Sequence, residues 1–344
     1  MKAQRQNPKK VDQIRRVLEG KKSLLIVMQD YPDPDALASA AGLKALAGTV
    51  ARVQCSIAHG GIIGRSENRA LARYLDLNLR KARDVDPRRF GATAMVDTQP
   101  GTGNNFLEPS VVPDIVIDHH PVGKNARRSQ FTDIRGNYGA ASTIIYEYLK
   151  EAGSAVDVKL ATGLIYGIRS DTQDLGRETT QADIDAFLAL YPIANKRMLS
   201  SIERERVPEG YFRLLSAGLR NALVYGDCVV ANLEKIDNPD MIGEVAELLL
   251  RREKTAWVLC FGFYADRALF SLRTCAKGAV AGETARKVAG RGATGGGHDA
   301  IGAGQIPLER NTREVRERTA QSITKRFLEA AGRKKARKRA LVAR

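Results

Sequence analysis

The stretch SLLIVMQDYPDPDALAS, residues 23–39, runs from an apolar segment through two aspartates into small helix-forming residues. The apolar residues 23–28 predict a buried strand, and the alanine-rich segment that starts at Asp35 predicts a helix. Asp33 and Asp35, separated only by Pro34, therefore stand where a strand ends and a helix begins. In α/β folds this is the edge of the sheet at which ligands bind. The stretch therefore predicts both the fold class and the first candidate site residues.

The first half of the chain repeats this alternation. Short, apolar and largely β-branched runs predict further strands at 50–57, 92–96 and 113–117, with helices at 35–48 and 66–77 between some of them. Such alternation favours an α/β fold whose N-terminal parallel sheet is flanked by helices.

The predicted secondary structure changes twice in the remainder of the chain. The pattern is helical from about residue 139, and beyond Ala222 the segments LVYGDCVVANL and WVLCFGFYADRALFSLRTC predict two hairpins, followed by two helices. A chain of 344 residues is long for a single core. We predict two domains with the active site in the cleft between them, the second being a smaller α/β domain with a mixed sheet. The predicted parts are a first domain over 1–195, a helical linker over 196–221, a second domain over 222–331 and a basic tail over 332–344.

Charge and apolar content narrow the possible partners. The formal net charge is +16, and residues 332–344 contain seven basic and no acidic side chains. This balance suits anionic partners such as nucleic acid or phosphorylated metabolites, although the tail is equally well interpreted as a solvated, mobile run. The apolar runs are shorter than the roughly 20 residues that cross a bilayer, and the polar N-terminus does not resemble a signal peptide. We expect a cytoplasmic protein with no membrane partner.

Acidic and imidazole side chains recur at predicted strand ends. Asp97 follows the strand 92–96, the triplet Asp118, His119 and His120 follows 113–117, and Asp171 ends a helical segment. We expect these groups to meet at one edge of the sheet, together with the aspartates of the first stretch. Several carboxylates in one crevice repel each other unless cations neutralise them. Oxygen donors with one or two imidazoles suit Mn²⁺ or Mg²⁺, and a pair of such ions favours phosphoester hydrolysis.

The motifs PDPDALAS, VDTQP, DHHP, GIRSDTQ and GGGH, in this order, resemble the DHH phosphoesterase superfamily with its DHH-associated C-terminal domain. The resemblance spans roughly residues 20–325. Within the superfamily, the chain is most similar to the nanoRNase group, whose members also act on adenosine bisphosphate. It implies a hydrolase that acts on phosphoester bonds, as a phosphodiesterase or phosphatase.

The resemblance also implies roles for single residues. One ion would be held by Asp33 and Asp97, and a second by Asp35, Asp97, His119 and Asp171, so that Asp97 bridges the two. His120 would face the phosphate as an electrostatic partner or general acid, and Asp118 would orient a histidine. Asp35 is also expected to cap the helix that it begins. The family motif usually opens with histidine where this chain has Gln29, so the first site is expected to be weakened.

The second domain is expected to bind the substrate. Gly295, Gly296 and Gly297 would let the backbone approach a phosphate, His298 would donate a hydrogen bond, and Arg273 would place a guanidinium on the phosphate. We therefore predict a manganese- or magnesium-dependent nuclease of the oligoribonuclease kind, acting on short oligonucleotides or nucleoside phosphates. A cyclic-dinucleotide phosphodiesterase and a catalytically weak nucleotide- or nucleic-acid-binding protein are the alternatives. Further expected partners are nucleic acid at the basic tail and a second copy of the chain in a homodimer.

Overall fold

The computed structural model describes residues 9–123, 125, 128–297 and 300–342. The chain divides into two compact units, Met1–Arg206 and Val207–Arg344. The elements of the first unit are α1 (Lys10–Leu18), β1 (Ser23–Val27), α2 (Pro34–Ala51), β2 (Gln54–His59), α3 (Ser66–Tyr74), β3 (Leu79–Lys81), β4 (Ala92–Val96), β5 (Ile115–Asp118), β6 (Phe131–Ile134), α4 (Ala141–Glu151), α5 (Val158–Asp171), α6 (Gln181–Leu190) and α7 (Lys196–Glu203).

The first unit is built on a parallel sheet with the strand order β3-β2-β1-β4-β5-β6. The predicted parallel sheet with flanking helices is confirmed. Because the chain leaves β1 in one direction along the sheet and later returns to its other side at β4, the order reverses between these two strands. The carboxyl ends of strands at such a reversal form a crevice that binds ligands in α/β proteins.

Helix α2 fixes the position of the first aspartates. Its N-cap is Asp33, whose Oδ1 accepts from the backbone N–H of Ala36 at 2.9 Å, and Pro34 occupies the first helical position. The helix is largely buried between the sheet, α4 and α5. It continues to Ala51, so the strand predicted at 50–57 begins only at Gln54. The early start was wrong because Val50 and Ala51 prolong the apolar side of a long helix.

The second unit has its own mixed sheet, as predicted. Its elements are α8 (Glu209–Asn221), β7 (Leu223–Tyr225), β8 (Cys228–Lys235), α9 (Met241–Leu250), β9 (Trp257–Tyr264), β10 (Arg267–Thr274), α10 (Ala281–Ala289), β11 (Thr294–Gly297), β12 (Ile301–Pro307), α11 (Arg313–Ala330) and β13 (Lys338–Ala340). The strand order is β11-β12-β10-β9-β8-β7-β13, and among the described residues only β8 and β9 pair in parallel. Helix α9 packs on one face of this sheet, and α10 and α11 pack on the other.

The predicted linker and tail lie partly within this second unit. The division after Arg206 separates α7 from α8, and Leu215 and Leu219 of α8 pack against the core of the second unit. In the tail, Arg333 donates two hydrogen bonds to Asp227, at 2.7 and 2.9 Å, and β13 pairs antiparallel with β7. The described part of the tail therefore adds an edge strand with exposed basic side chains, and it is not only a solvated run. Among the described residues, no helix combines the length and apolar character needed to cross a membrane.

Candidate metal centre

The two aspartates that follow β1 have separate structural tasks. Asp33 caps α2 through Oδ1, and its Oδ2 accepts from the amide nitrogen of Gln29 at 2.8 Å. Asp35 does not cap its own helix, contrary to the sequence-based expectation. Its carboxylate accepts from the backbone N–H groups of Ala141, at 2.7 Å, and Ser142, at 2.8 Å, at the start of α4. Because helix N-termini present unsatisfied donors, Asp35 ties α2 to α4 while it faces the crevice.

Asp97 is the residue that directly follows β4, and it is fully buried. Its φ of +55° is in the left-handed region, which aspartate tolerates better than most non-glycine residues. The backbone N–H of Asp97 donates to the carbonyl of Ile117 on the neighbouring strand, at 3.0 Å. Its Oδ2 accepts from the amide of Gln29 at 3.2 Å. The backbone therefore turns at this point, and the carboxylate is held between the ends of β1 and β5.

The histidines after β5 are held by the aspartate that precedes them. Asp118 Oδ1 accepts from the backbone N–H of His119, at 2.8 Å, and lies 2.8 Å from Nδ1 of His120. The Nδ1 of His119 is 3.2 Å from the carbonyl of Tyr138. A carbonyl can only accept, so Nδ1 of His119 carries the proton of that bond, and the neutral ring presents Nε2 as a ligand.

Three other predicted ligands converge on this nitrogen. His119 Nε2 lies 3.2 Å from Asp171 Oδ2, 3.3 Å from Asp97 Oδ1 and 3.8 Å from Asp35 Oδ2. Ligand atoms of all four side chains lie within 4.8 Å of one another, and the same limit holds for a second, overlapping group of Asp97, Asp118, His119 and His120. Among the described residues, Asp33 belongs to neither group.

Two atoms of the first group show that it fits a metal ion. Asp97 Oδ1 and His119 Nε2 are both buried, and neither has a hydrogen-bond partner among the described residues. Leaving buried polar atoms unsatisfied costs about 1–3 kcal/mol each. One cation among Asp35, Asp97, His119 and Asp171 would satisfy both atoms. In the overlapping group, by contrast, Asp118 already uses both oxygens for hydrogen bonds.

The pKa shifts divide the acidic and histidine side chains of the site into two sets. Burial, and then the charges of Asp171 and Asp97, raises the pKa of Asp35 to about 7, and burial likewise raises the pKa of Asp97. Burial opposes protonation of His119, but the adjacent carboxylates of Asp171 and Asp97 raise its pKa well above the ordinary value. A cation bound here would therefore displace protons from Asp35, Asp97 and His119.

The Asp118–His120 pair behaves differently. Burial alone would raise the pKa of Asp118, but the charge of His120 and its hydrogen bond lower it to about 2. For His120, burial is outweighed by the charge of Asp118, which raises the pKa to about 9. The His120 side chain is 37% exposed, whereas that of His119 is 9% exposed. This pair is thus a fixed carboxylate next to an accessible, protonated imidazole.

The predicted substrate-binding residues lie in the second unit. Arg273, on β10, is nearly buried, and its guanidinium donates to Glu247, at 2.9 Å, and to Ser271, at 2.6 Å. Gly295 lies on β11, where an added Cβ would be only 2.6 Å from the carbonyl oxygen of Ala285 in α10.

Its neighbours in the glycine run differ from Gly295. Gly297 has a φ of +139°, which side-chain-bearing residues rarely adopt, whereas a Cβ at Gly296 would meet none of the described residues within 4 Å. Gly295 therefore allows close packing of a helix on the sheet. Within the described part of the chain, Gly296 is the glycine of this run with open space beside it. The predicted role of His298 lies outside the described residues.

Comparison with known proteins agrees with this architecture. Residues 24–168 match the DHH family N-terminal domain, and residues 226–325 match the DHHA1 domain. The chain belongs to the DHH phosphoesterase superfamily. The region that matches the DHH domain holds Asp35, Asp97 and the DHH triplet, and Asp171 follows three residues after its end; the region that matches the DHHA1 domain holds Arg273 and the glycine run.

One known protein is similar to this chain in sequence, and another is similar in structure. The chain is 32% identical, over 320 residues, to an uncharacterized protein of Methanocaldococcus jannaschii, and the match covers 91% of this chain but 65% of the length of that relative. An exopolyphosphatase-related protein from Bacteroides fragilis has a solved structure with a TM-score of 0.67 at 15% identity, covering 94% of this chain and 97% of the other. This second likeness supports the fold.

Two glutamines of the DHH domain were not assigned these roles from the sequence. Gln99 is buried, and its Nε2 donates to Asp118 Oδ2 at 2.6 Å while its Oε1 accepts from the backbone of Gly123 at 2.6 Å. It therefore fixes the carboxylate that holds His120. Gln29, predicted only as a poor ligand, donates to Asp33 and Asp97. The available signal was position, because both glutamines lie within three residues of a predicted strand end.

Proposed function

We propose that this protein is a metal-dependent phosphoesterase that hydrolyses short oligonucleotides or nucleoside phosphates. The observation that carries the proposal is the buried pair of unsatisfied atoms, Asp97 Oδ1 and His119 Nε2, surrounded by the carboxylates of Asp35 and Asp171. Membership in the DHH superfamily supports the same chemistry.

Four side chains would hold the ion: Asp35, Asp97, His119 and Asp171. Oxygen donors with one imidazole suit Mn²⁺ or Mg²⁺. When bound, such an ion supplies a Lewis acid for a phosphoryl oxygen and lowers the pKa of a coordinated water. The chain contributes preorganisation, because Asp35 is fixed by the N-terminus of α4 and His119 by the carbonyl of Tyr138.

His120 and Asp118 would handle the proton on the leaving group. Asp118 holds Nδ1 of His120 at 2.8 Å and is itself held by Gln99. The ring is more than a third exposed, so a phosphoester can approach it. In this arrangement His120 stabilises negative charge on the phosphate and donates its proton to the departing oxygen.

The proposed substrate class rests on similarity to other proteins. Similarity of the motifs to the nanoRNase group supports short RNA and adenosine bisphosphate, and the exopolyphosphatase-related neighbour in fold adds inorganic polyphosphate as a candidate. Arg273 and Gly296 of the DHHA1 domain are proposed to contact the substrate phosphate. A cytoplasmic location, and nucleic-acid contact through the exposed basic side chains of β13, are proposed along with this activity.

A second candidate is a member that binds nucleotides without hydrolysing them. It is favoured by Gln29, whose amide lies where the family motif has a metal-binding histidine. The two candidates differ in what removal of the metal does: hydrolysis requires the ion, whereas binding through phosphate contacts persists in chelator and falls steeply with salt.

The test is product release from a panel of phosphoesters with Mn²⁺, Mg²⁺ or chelator. The panel contains a diribonucleotide, a pentaribonucleotide, single-stranded DNA, a cyclic dinucleotide, adenosine bisphosphate and polyphosphate. We expect mononucleotide release from the short RNAs with Mn²⁺, and its loss in Asp171→Asn. Turnover of the cyclic dinucleotide alone would indicate the other phosphodiesterase activity, and no turnover of any substrate would refute the proposal.

A further inference from the structure

The amide of Gln29 lies next to Asp33 and Asp97, the two carboxylates to which the resemblance assigned one of two metal ions. Its Nε2 donates to Asp33 Oδ2 at 2.8 Å and to Asp97 Oδ2 at 3.2 Å. An amide nitrogen carries two hydrogens and no lone pair that could bind a cation. The orientation is dictated by the neighbours, because the amide oxygen in the same place would face two carboxylate oxygens. Gln29 thus bridges the two carboxylates to which the resemblance assigned an ion.

Both oxygens of Asp33 are already in use. Oδ1 accepts from the backbone N–H of Ala36 as the cap of α2, and Oδ2 accepts from Gln29. Asp33 is also absent from the ligand groups found among the described residues. The carboxylate of Asp30 lies next to Gly60, in the loop after β2, and Asp30 is in neither of the ligand groups found among the described residues.

The two oxygens of Asp97 have different partners. Oδ2 accepts from Gln29, whereas Oδ1 faces His119 at 3.3 Å and has no hydrogen-bond partner in the part of the chain that the structure describes. Asp97 therefore offers one oxygen to an ion and uses the other for the amide. This division differs from the role that the resemblance implied, in which Asp97 bridges two ions.

From these contacts we propose that the centre holds one divalent ion, at Asp35, Asp97, His119 and Asp171, and that Gln29 takes the place of the second ion by hydrogen bonding Asp33 to Asp97. This inference rests on the metal centre of the proposed function. A second ion would have to break two hydrogen bonds to carboxylates. That loss weakens its binding by about a hundredfold to ten-thousandfold relative to a site with a true ligand at this position.

The experiment counts ions and does not use turnover. Metal-free full-length protein is titrated with Mn²⁺ by calorimetry, and the loaded protein is then studied by electron paramagnetic resonance. We expect one tight equivalent and the spectrum of an isolated Mn²⁺ ion. In Gln29→His, which restores an imidazole next to Asp33, we expect two equivalents and the signal of two magnetically coupled ions. Gln29→Leu is the matched control, because it removes the amide without supplying a ligand and is expected to keep one equivalent.

The outcomes separate this inference from the proposed activity. Two tight equivalents or a coupled signal in the unmodified protein would overturn the inference, even if phosphoesters are hydrolysed. One equivalent without hydrolysis would leave the inference standing and refute the activity. No binding would overturn both. If Gln29→His does not fold, the count and the spectrum of the unmodified protein still decide the question.

Discussion

Replacing Asp35 by asparagine is expected to change the stability of the DHH domain in opposite directions with and without metal. The substitution keeps the shape of the side chain but turns one acceptor oxygen into an NH₂ group. In the native site one oxygen accepts from Ala141 and the other from Ser142. In Asp35→Asn one of these buried N–H groups therefore faces a donor, at a cost of about 1–3 kcal/mol.

The metal-free protein gains from the same change. Burial and neighbouring carboxylates raise the pKa of Asp35 from 3.8 to about 7. A group with a raised pKa in the folded state stabilises the fold at low pH, and this contribution is lost as the pH rises through about 7. At pH 8 the ionised side chain therefore costs roughly 4 kcal/mol, at about 1.4 kcal/mol per pKa unit. Asparagine removes this cost, so the metal-free variant should be more stable than the native protein by about 1–3 kcal/mol.

Metal reverses the order. A bound cation offsets the charge of Asp35, and binding adds about 4 kcal/mol at a thousandfold excess over Kd. We expect urea unfolding at pH 8, followed by circular dichroism, to place Asp35→Asn above the native protein in chelator and below it in saturating Mn²⁺.

The control is Ser39→Ala, at a buried hydroxyl 3.4 Å from Asp35. This substitution leaves the carboxylate in place, so the stabilisation by Mn²⁺ should persist. Equal destabilisation of Asp35→Asn in both buffers would show that Asp35 only caps α4, and the reasoning about the cluster would be refuted.

Four further substitutions test other parts of the structure. Gln99→Leu removes the amide that holds the carboxylate of the DHH triplet, and it should lower kcat by about tenfold with little change in KM or in Mn²⁺ affinity; an unchanged kcat in steady-state kinetics would contradict this role. Asp133 is buried, yet hydrogen bonds led by that of Arg135 lower its pKa, so its contribution to stability is present above about pH 4 and is lost in more acidic solution. Asp133→Asn should remove about 3 kcal/mol at pH 7 and less at pH 3, measured by urea unfolding at both pH values; an equal loss at both would exclude the ionic contribution. Gly295→Ala should destabilise the DHHA1 domain because the added Cβ would clash with the carbonyl oxygen of Ala285 in α10. Gly296→Ala should leave thermal unfolding unchanged and raise KM. Destabilisation by Gly296→Ala and not by Gly295→Ala would contradict this assignment.

Much of the DHH domain could be predicted because its signals are local. β1 and β4 are apolar, β-branched runs, and the structure starts them at the predicted residues Ser23 and Ala92. β3 and β6 escaped prediction since Leu79–Lys81 and Phe131–Ile134 are short and half polar. β11 was missed because its sequence, TGGG, has little intrinsic strand preference. It becomes a strand through pairing with β12 and packing of α10.

The candidate site shows the same limit. Parallel topology alone predicts that Asp97 and the DHH triplet meet near β1, since carboxyl ends of neighbouring strands share an edge. The bonds of Asp35 to α4 join residues 106 and 107 positions apart, and that of Gln29 to Asp97 spans 68. Such pairings depend on tertiary packing, which a single sequence does not encode in any local pattern.

The strand β13 protects the rest of the second sheet. By pairing with β7 it covers backbone groups that would otherwise offer a template to another chain, and its own outer edge carries exposed lysine and arginine side chains. Their like charge discourages two copies from joining edge to edge. Removing the residues from Lys338 onward would therefore uncover the less charged strand Leu223–Tyr225 and favour aggregation during purification, independently of any effect on catalysis.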